Sequence, residues 1–76
     1  MKKKFNRIIT DTKGTFIGNL DDDNYCEIQY VGWHLKGIKN YRIQIWRDEC
    51  GLIIDKITRF ANIEDAISWA VRKIGN

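Results

Sequence analysis

The sequence predicts an α+β domain: an antiparallel meander sheet of three to five strands with one C-terminal helix packed on one face. Three observations predict it. Clusters of Asp, Asn, Lys and Gly at 11–14, 21–24, 36–40 and 48–51 divide the chain into short runs rich in β-branched and aromatic residues. The run Tyr41 to Arg47 alternates apolar and polar side chains. After Asn62 the apolar spacing changes from two to three and four, the period of a helix.

The strands follow in order. Phe5 to Thr10 is β-branched and apolar, and Asp11-Thr12-Lys13-Gly14 turns the chain, with Gly14 free to take positive φ. Thr15 to Leu20 pairs back as a hairpin, with Gly18 a candidate bulge. Asp21-Asp22-Asp23-Asn24 is a loop, because adjacent carboxylates repel and disfavour a strand. Tyr25 to Leu35 is a longer strand containing Gly32, Lys36 to Asn40 a turn, Tyr41 to Arg47 a strand, Asp48 to Gly51 a turn, and Leu52 to Thr58 the closing strand. Perfect alternation in this last strand would turn either Asp55 or Lys56 inward, so a bulge or a short strand is expected there.

Asn62 is placed to cap the helix, with Asp65 three residues on as in a capping box. Glu64 and Asp65 lie at the positive end of the helix dipole, Arg72 and Lys73 at the negative end. Ile63, Ala66, Ile67, Ala70, Val71 and Ile74 form one stripe, and Gly75 is placed to end the helix in a left-handed conformation. Trp69 flanks the stripe, where it either seals the sheet edge or stays partly exposed, edge packing being the favoured reading. The 76 residues make a single domain: an N-terminal hairpin at 1–20, the main sheet at 25–58 and the helix at 62–74.

Composition narrows the class. With 43% apolar and 30% charged residues, the chain is neither disordered nor low-complexity. No run of about 18 apolar residues is present, which excludes a transmembrane helix. Lys2, Lys3 and Lys4 resemble the start of a secretory leader, yet Asn6, Arg7 and Asp11 interrupt the apolar region that should follow, so the chain is expected in the cytoplasm. There Cys26 and Cys50 are expected as reduced, small apolar fillers. His34 is the lone histidine, and neither Ser nor Cys sits in a nucleophile motif. The acidic loop lacks calcium-hand spacing, and Cys26, His34 and Cys50 lack zinc spacing. A non-enzyme without cofactor, metal or small-molecule substrate is the expectation.

Charge is segregated. Residues 1–7 carry +4, 8–27 carry −4, 28–47 carry +4 with no acid, and 48–76 carry −1. Such segregation favours an oriented encounter with a partner. In the strand 41–47, Ile43 and Ile45 are expected to face the helix, sending Arg42, Gln44 and Trp46 to the opposite face. If Ile28 and Tyr30 also face the helix, Gln29, Val31 and Trp33 join that outer face. The opposite register would group Val31, Trp33 and Leu35 as the inward set. One helix leaves the outer face uncovered unless the N-terminal hairpin folds across it. The candidate partner-binding residues are Arg42, Gln44, Trp46, Trp33, Gln29, Lys36 and Lys39.

Two partner classes fit. The first is nucleic acid: segment 28–47 interleaves Tyr30, Trp33, Tyr41 and Trp46 with Lys36, Lys39, Arg42 and Arg47. Three strands then a helix over 26–74, with Tyr41-Arg42-Ile43-Gln44-Ile45-Trp46-Arg47 and Phe60-Ala61-Asn62-Ile63-Glu64-Asp65-Ala66, loosely resembles the AP2-type DNA-binding domains and the arm-binding domains of some integrases. That resemblance implies a sequence-specific or architectural DNA-binding module with Arg42, Gln44 and Trp46 facing the major groove. The family's glycine and arginine pattern in the first strand is missing, Tyr30-Val31-Gly32-Trp33-His34 standing in its place. The second class is protein, and it is the favoured expectation. A net charge of +3 neutralises few phosphates, whereas a small domain can offer about 800 Å² to a protein. Thirteen isoleucines, eight lysines, six asparagines and no proline indicate an AT-rich genome. In size and style the chain, read as a lone module from Met1 to Asn76, resembles the small host-directed, anti-defence proteins that phages and other mobile elements encode. It is expected to act as a non-catalytic inhibitor or modulator of a nucleic-acid-handling host protein.

Overall fold

The computed structural model describes Ile8–Ile9 and residues 14–75. Among these described residues five strands and one helix follow one another: β1 (Ile8–Ile9), β2 (Thr15–Asn19), β3 (Asn24–Leu35), β4 (Ile38–Arg47), β5 (Gly51–Phe60) and α1 (Ile63–Ile74). The strands form one antiparallel sheet in chain order, β1 to β5, with α1 packed against it. Of the expected first strand only Ile8–Ile9 are described; the remainder of 5–10 and the turn at Asp11 to Lys13 lie outside the described residues. β1 pairs edge-on with β2, so these two strands extend the sheet rather than fold across it.

The α+β meander with a C-terminal helix is as the sequence predicts. Period-two burial explains why. Phe16 on β2, Cys26 and Ile28 on β3, and Tyr41, Ile43 and Ile45 on β4 are all at most 1% exposed, and Ala66, Ile67 and Ala70 of α1 close over them. Neither element can remove its apolar side from water alone. Asn62 caps α1 as expected, its side-chain oxygen accepting from the Asp65 N–H at 2.9 Å. Trp69 is edge packing: its ring meets Phe60 of β5 at 6.3 Å.

Several details differ. β4 begins at Ile38, because Lys36 and Gly37 alone make the turn, and β5 runs longer than expected in both directions. Gly18 pairs with Cys26 in an uninterrupted ladder and is no bulge. Gly75 keeps a right-handed φ of −82° and donates its N–H to the Val71 carbonyl at 3.2 Å, extending the helical pattern instead of capping it left-handed. Val71 is 44% exposed, because the contact with the sheet centres on Ala66, Ile67 and Ala70, with Ile63, Trp69 and Ile74 packed beside them.

Bulges settle what alternation left open. On β5, Ile45 faces Ile54 while Trp46 faces Leu52, so Ile53 is the extra residue. Asp55 consequently shares the outer face with Gln44, and Lys56 shares the helix side with Ile43. Lys56 is tolerated there because β5 is the sheet edge. Its ammonium stands 5.8 Å from the Trp69 ring centre, in cation–π range.

Candidate functional site

The face opposite α1 is uncovered among the described residues. Its side chains follow from the register. One row runs Glu27, Gln44, Asp55 across β3, β4 and β5, and the next runs Gln29, Arg42, Ile57. A third places Tyr25 beside Trp46. Ile43 and Ile45 face the helix, so Arg42, Gln44 and Trp46 must face away.

At the centre lies an ion pair. The Arg42 guanidinium donates Nε to Asp55 Oδ1 at 3.0 Å and Nη2 to Oδ2 at 2.8 Å, a two-pronged contact. Gln44 Nε2 adds a longer contact to Asp55 Oδ2 at 3.5 Å. These bonds hold the Asp55 carboxyl below its ordinary value, chiefly through Arg42, and raise the Arg42 guanidinium in turn. Both groups are well hydrated, so the pair adds little to stability. It does fix where two charges stand. With Glu27 and Arg59 on the same face, positive and negative side chains balance.

The aromatic part sits beside it. The Tyr25 and Trp46 rings are 5.6 Å apart at 47°, and Tyr25 Oη donates to Glu27 Oε2 at 3.0 Å. Burial first, and that bond second, push the Tyr25 phenol above its ordinary value. Trp46 is half-buried rather than enclosed, which leaves part of an amphipathic ring for a partner.

Of the residues expected from sequence, Arg42, Gln44, Trp46 and Gln29 share this face. Trp33, Lys36 and Lys39 do not. Val31 is an extra residue between the Tyr30–Tyr41 and Gly32–Asn40 pairs, and this bulge moves Trp33 opposite Lys39 on the helix side, 68% exposed. Trp33 is therefore corrected from the outer face to the other side of the sheet. Lys39 Nζ is spent on the Ala61 carbonyl at 3.1 Å, tying the hairpin to the segment before α1, and Lys36 lies in the turn. Sequence reasoning missed Tyr25, Glu27 and Asp55. The first two were accessible by continuing the alternation from Cys26 and Ile28; Asp55 was hidden by the bulge.

The acidic loop has a structural task. Asp21 Oδ1 accepts from the Asp23 and Asn24 N–H groups, each at 2.9 Å, and from Asn24 Nδ2 at 2.8 Å. Asn24 is 4% exposed and accepts from Arg47 Nε at 3.0 Å. Asp23, Asn24, Arg47, Asp48 and Glu49 line an open polar hollow of about 450 Å³. Burial alone would raise the Asp21 carboxyl, but the bonds from Asp23 and Asn24, aided by the Arg47 charge, outweigh it and leave it below its ordinary 3.8. A depressed native value means the unfolded chain takes the proton first as pH falls. The stability contribution is thus present above pH 3.8 and disappears as pH drops through the lower native value. In acid melts between about pH 5 and pH 2, the native chain should lose more stability than Asp21→Asn; equal losses would refute this role.

Among the described residues, no group of three or more His, Cys, Asp or Glu side chains is placed to hold a metal ion. Cys26 is in the core, where burial, and then the Glu27 charge, push its thiol up to about 12, far from thiolate chemistry. Cys50 is exposed and unbridged. No described helix is long and apolar enough to cross a membrane. No protein-family model, curated protein or solved structure matches this chain.

Proposed function

We propose that the chain is a non-catalytic module that docks on a protein partner through the uncovered sheet face, with Trp46 and Tyr25 as anchor. One observation carries the reading: Arg42 is committed to Asp55 within the face itself. A groove-reading arginine must offer its guanidinium to base edges or phosphates. Here that fork is filled, and Glu27 adds a further carboxylate on the side that would meet DNA. A half-buried aromatic pair bordered by fixed, opposite charges instead matches the apolar centre and polar rim of a protein interface.

The finer form of the proposal is an inhibitor or modulator of a nucleic-acid-handling host protein, of the kind that mobile elements direct against defence systems. Its support is the segregation of the chain's charge. The acidic end around Asp21, Asp23, Asp48 and Glu49 offers a match to the basic groove of a nucleic-acid-handling protein. The reading places the chain in the cytoplasm, where the exposed Cys50 thiol stays reduced.

The test pairs capture with substitution. A partner recovered from the native host should bind stoichiometrically and survive nuclease treatment. Trp46→Ala should weaken that complex by about 30-fold, the equivalent of a 2 kcal/mol hot spot, with the far-ultraviolet dichroism unchanged. Retention on bulk DNA at low salt that Arg42→Ala abolishes would instead establish the DNA-binding alternative and sink the proposal.

A further inference from the structure

β5 ends the sheet, so among the described residues one side of this ten-residue strand faces no other strand. A free edge displays unpaired N–H and C=O groups and is a template for another strand. Its side chains are unusually apolar for an edge: Leu52, Ile53 and Ile57 are 47%, 36% and 59% exposed. We infer that β5 pairs antiparallel with β5 of a second copy, giving a two-fold dimer with one continuous sheet.

The register can be worked out from symmetry. A two-fold axis normal to the sheet pairs residues of one face only with residues of that face, so it must pass midway between one residue of β5 and its own copy. An axis at Asp55 sets two carboxylates against each other, and one at Lys56 sets two ammonium groups together. An axis at Thr58 puts Ile57 against Arg59 and Lys56 against Phe60 of the second copy. An axis at Ile57 does none of this. On the outer face it puts Ile57 on Ile57 and Asp55 opposite Arg59, twice by symmetry. On the helix side it puts the half-buried Ile54 against Phe60 and Lys56 against Thr58. Arg59 has no ion-pair partner among the described residues, and Asp55 retains acceptor positions after serving Arg42. Opposite charges and matched apolar pairs directly across an antiparallel ladder are stabilising, and like charges there are not.

The bulge at Ile53 bounds the pairing. It breaks the ladder geometry on one side, leaving 54–60 as the regular segment, which is symmetric about Ile57. The dimer also joins the outer faces of two copies into a single surface with two Tyr25–Trp46 pairs. It does not depend on the proposed partner: Trp46 lies at the far end of β4 from this axis.

Solution mass tests it. Sedimentation equilibrium of the full chain should give twice 9.0 kDa in the micromolar range. Ile57→Lys, which opposes two ammonium groups, and Arg59→Asp, which opposes carboxylates, should each halve the mass with unchanged dichroism. The alternate amides of 54–60 that point away from β4 should lose hydrogen-exchange protection in both variants, while those bonded to β4 keep it. Trp46→Ala should remain dimeric, which separates failure of this inference from failure of partner docking. A native chain that stays monomeric up to millimolar concentration overturns the dimer, as does a dimer indifferent to both substitutions. A monomer that accepts a foreign strand on β5 also overturns it.

Discussion

Ile43→Ala should lower unfolding free energy by about 2–5 kcal/mol, the range for deleting a fully buried aliphatic side chain. Ile43 is 0% exposed at the middle of β4, with Ile28 its partner on β3 and Lys56 on β5. It belongs to the cluster that joins the sheet to Ala66 and Ala70. Two alanines on the helix side mean close approach and little freedom to collapse into a void, so the cavity cost adds to the lost transfer energy. A small domain has only about 5–15 kcal/mol in total. The denaturant midpoint should therefore fall steeply at unchanged slope. Val71→Ala is the comparison. Val71 belongs to the apolar stripe in the sequence but is 44% exposed in the fold, so its truncation should change stability by about 0.5 kcal/mol or less. Equal costs at the two positions would show that the helix packs on a different strip.

Gly14→Ala should cost about 1–3 kcal/mol, for two reasons that can be separated. The φ of Gly14 is +91°, a conformation L side chains rarely adopt, and an added Cβ would stand 3.0 Å from Ile63 Cβ. The neighbour is the branch point of a stiff side chain at the start of α1, so relief requires the hairpin or the helix to move. Gly37 has a similar φ of +77° with open space around it. Gly37→Ala therefore measures the backbone strain alone, and the excess loss at Gly14 measures the contact between the chain before β2 and the helix. Thermal melts of both variants give the difference directly. Identical losses would mean that Gly14 does not pack on Ile63.

The elements legible in the sequence are those set by local chemistry. The Asn62 cap needs only an oxygen three residues before a free N–H. Alternation over 41–47 placed Ile43 and Ile45 inward, and with them Arg42, Gln44 and Trp46 outward, because pleat geometry allows no other choice. Three residues of the candidate site follow from that single strand.

What was not legible depends on residues far apart in the chain. Trp33 left the expected face because Val31 became an extra residue between two pairs with β4, a choice made by the register of the partner strand. Asp55 and Arg42 are thirteen positions apart; the pattern of the last strand calls for a bulge or a short strand but leaves open whether Asp55 or Lys56 turns outward, and only the pairing of Asp55 with Gln44 decides it. The acidic loop reads as repulsion; Asn24, wedged between Asp21 and Arg47, turns it into a bonded corner.

By itself the sequence determined the order of strands and helix, the buried side of β4 and the Ala66, Ile67 and Ala70 strip that α1 lays on the sheet, since each depends on periodicity within one segment. Only the tertiary structure decided that Arg42 and Asp55 neutralise one another and which tryptophan shares a face with Arg42. Those outcomes depend on bulges, and a bulge is the compromise between two strands that the sequence of neither one contains.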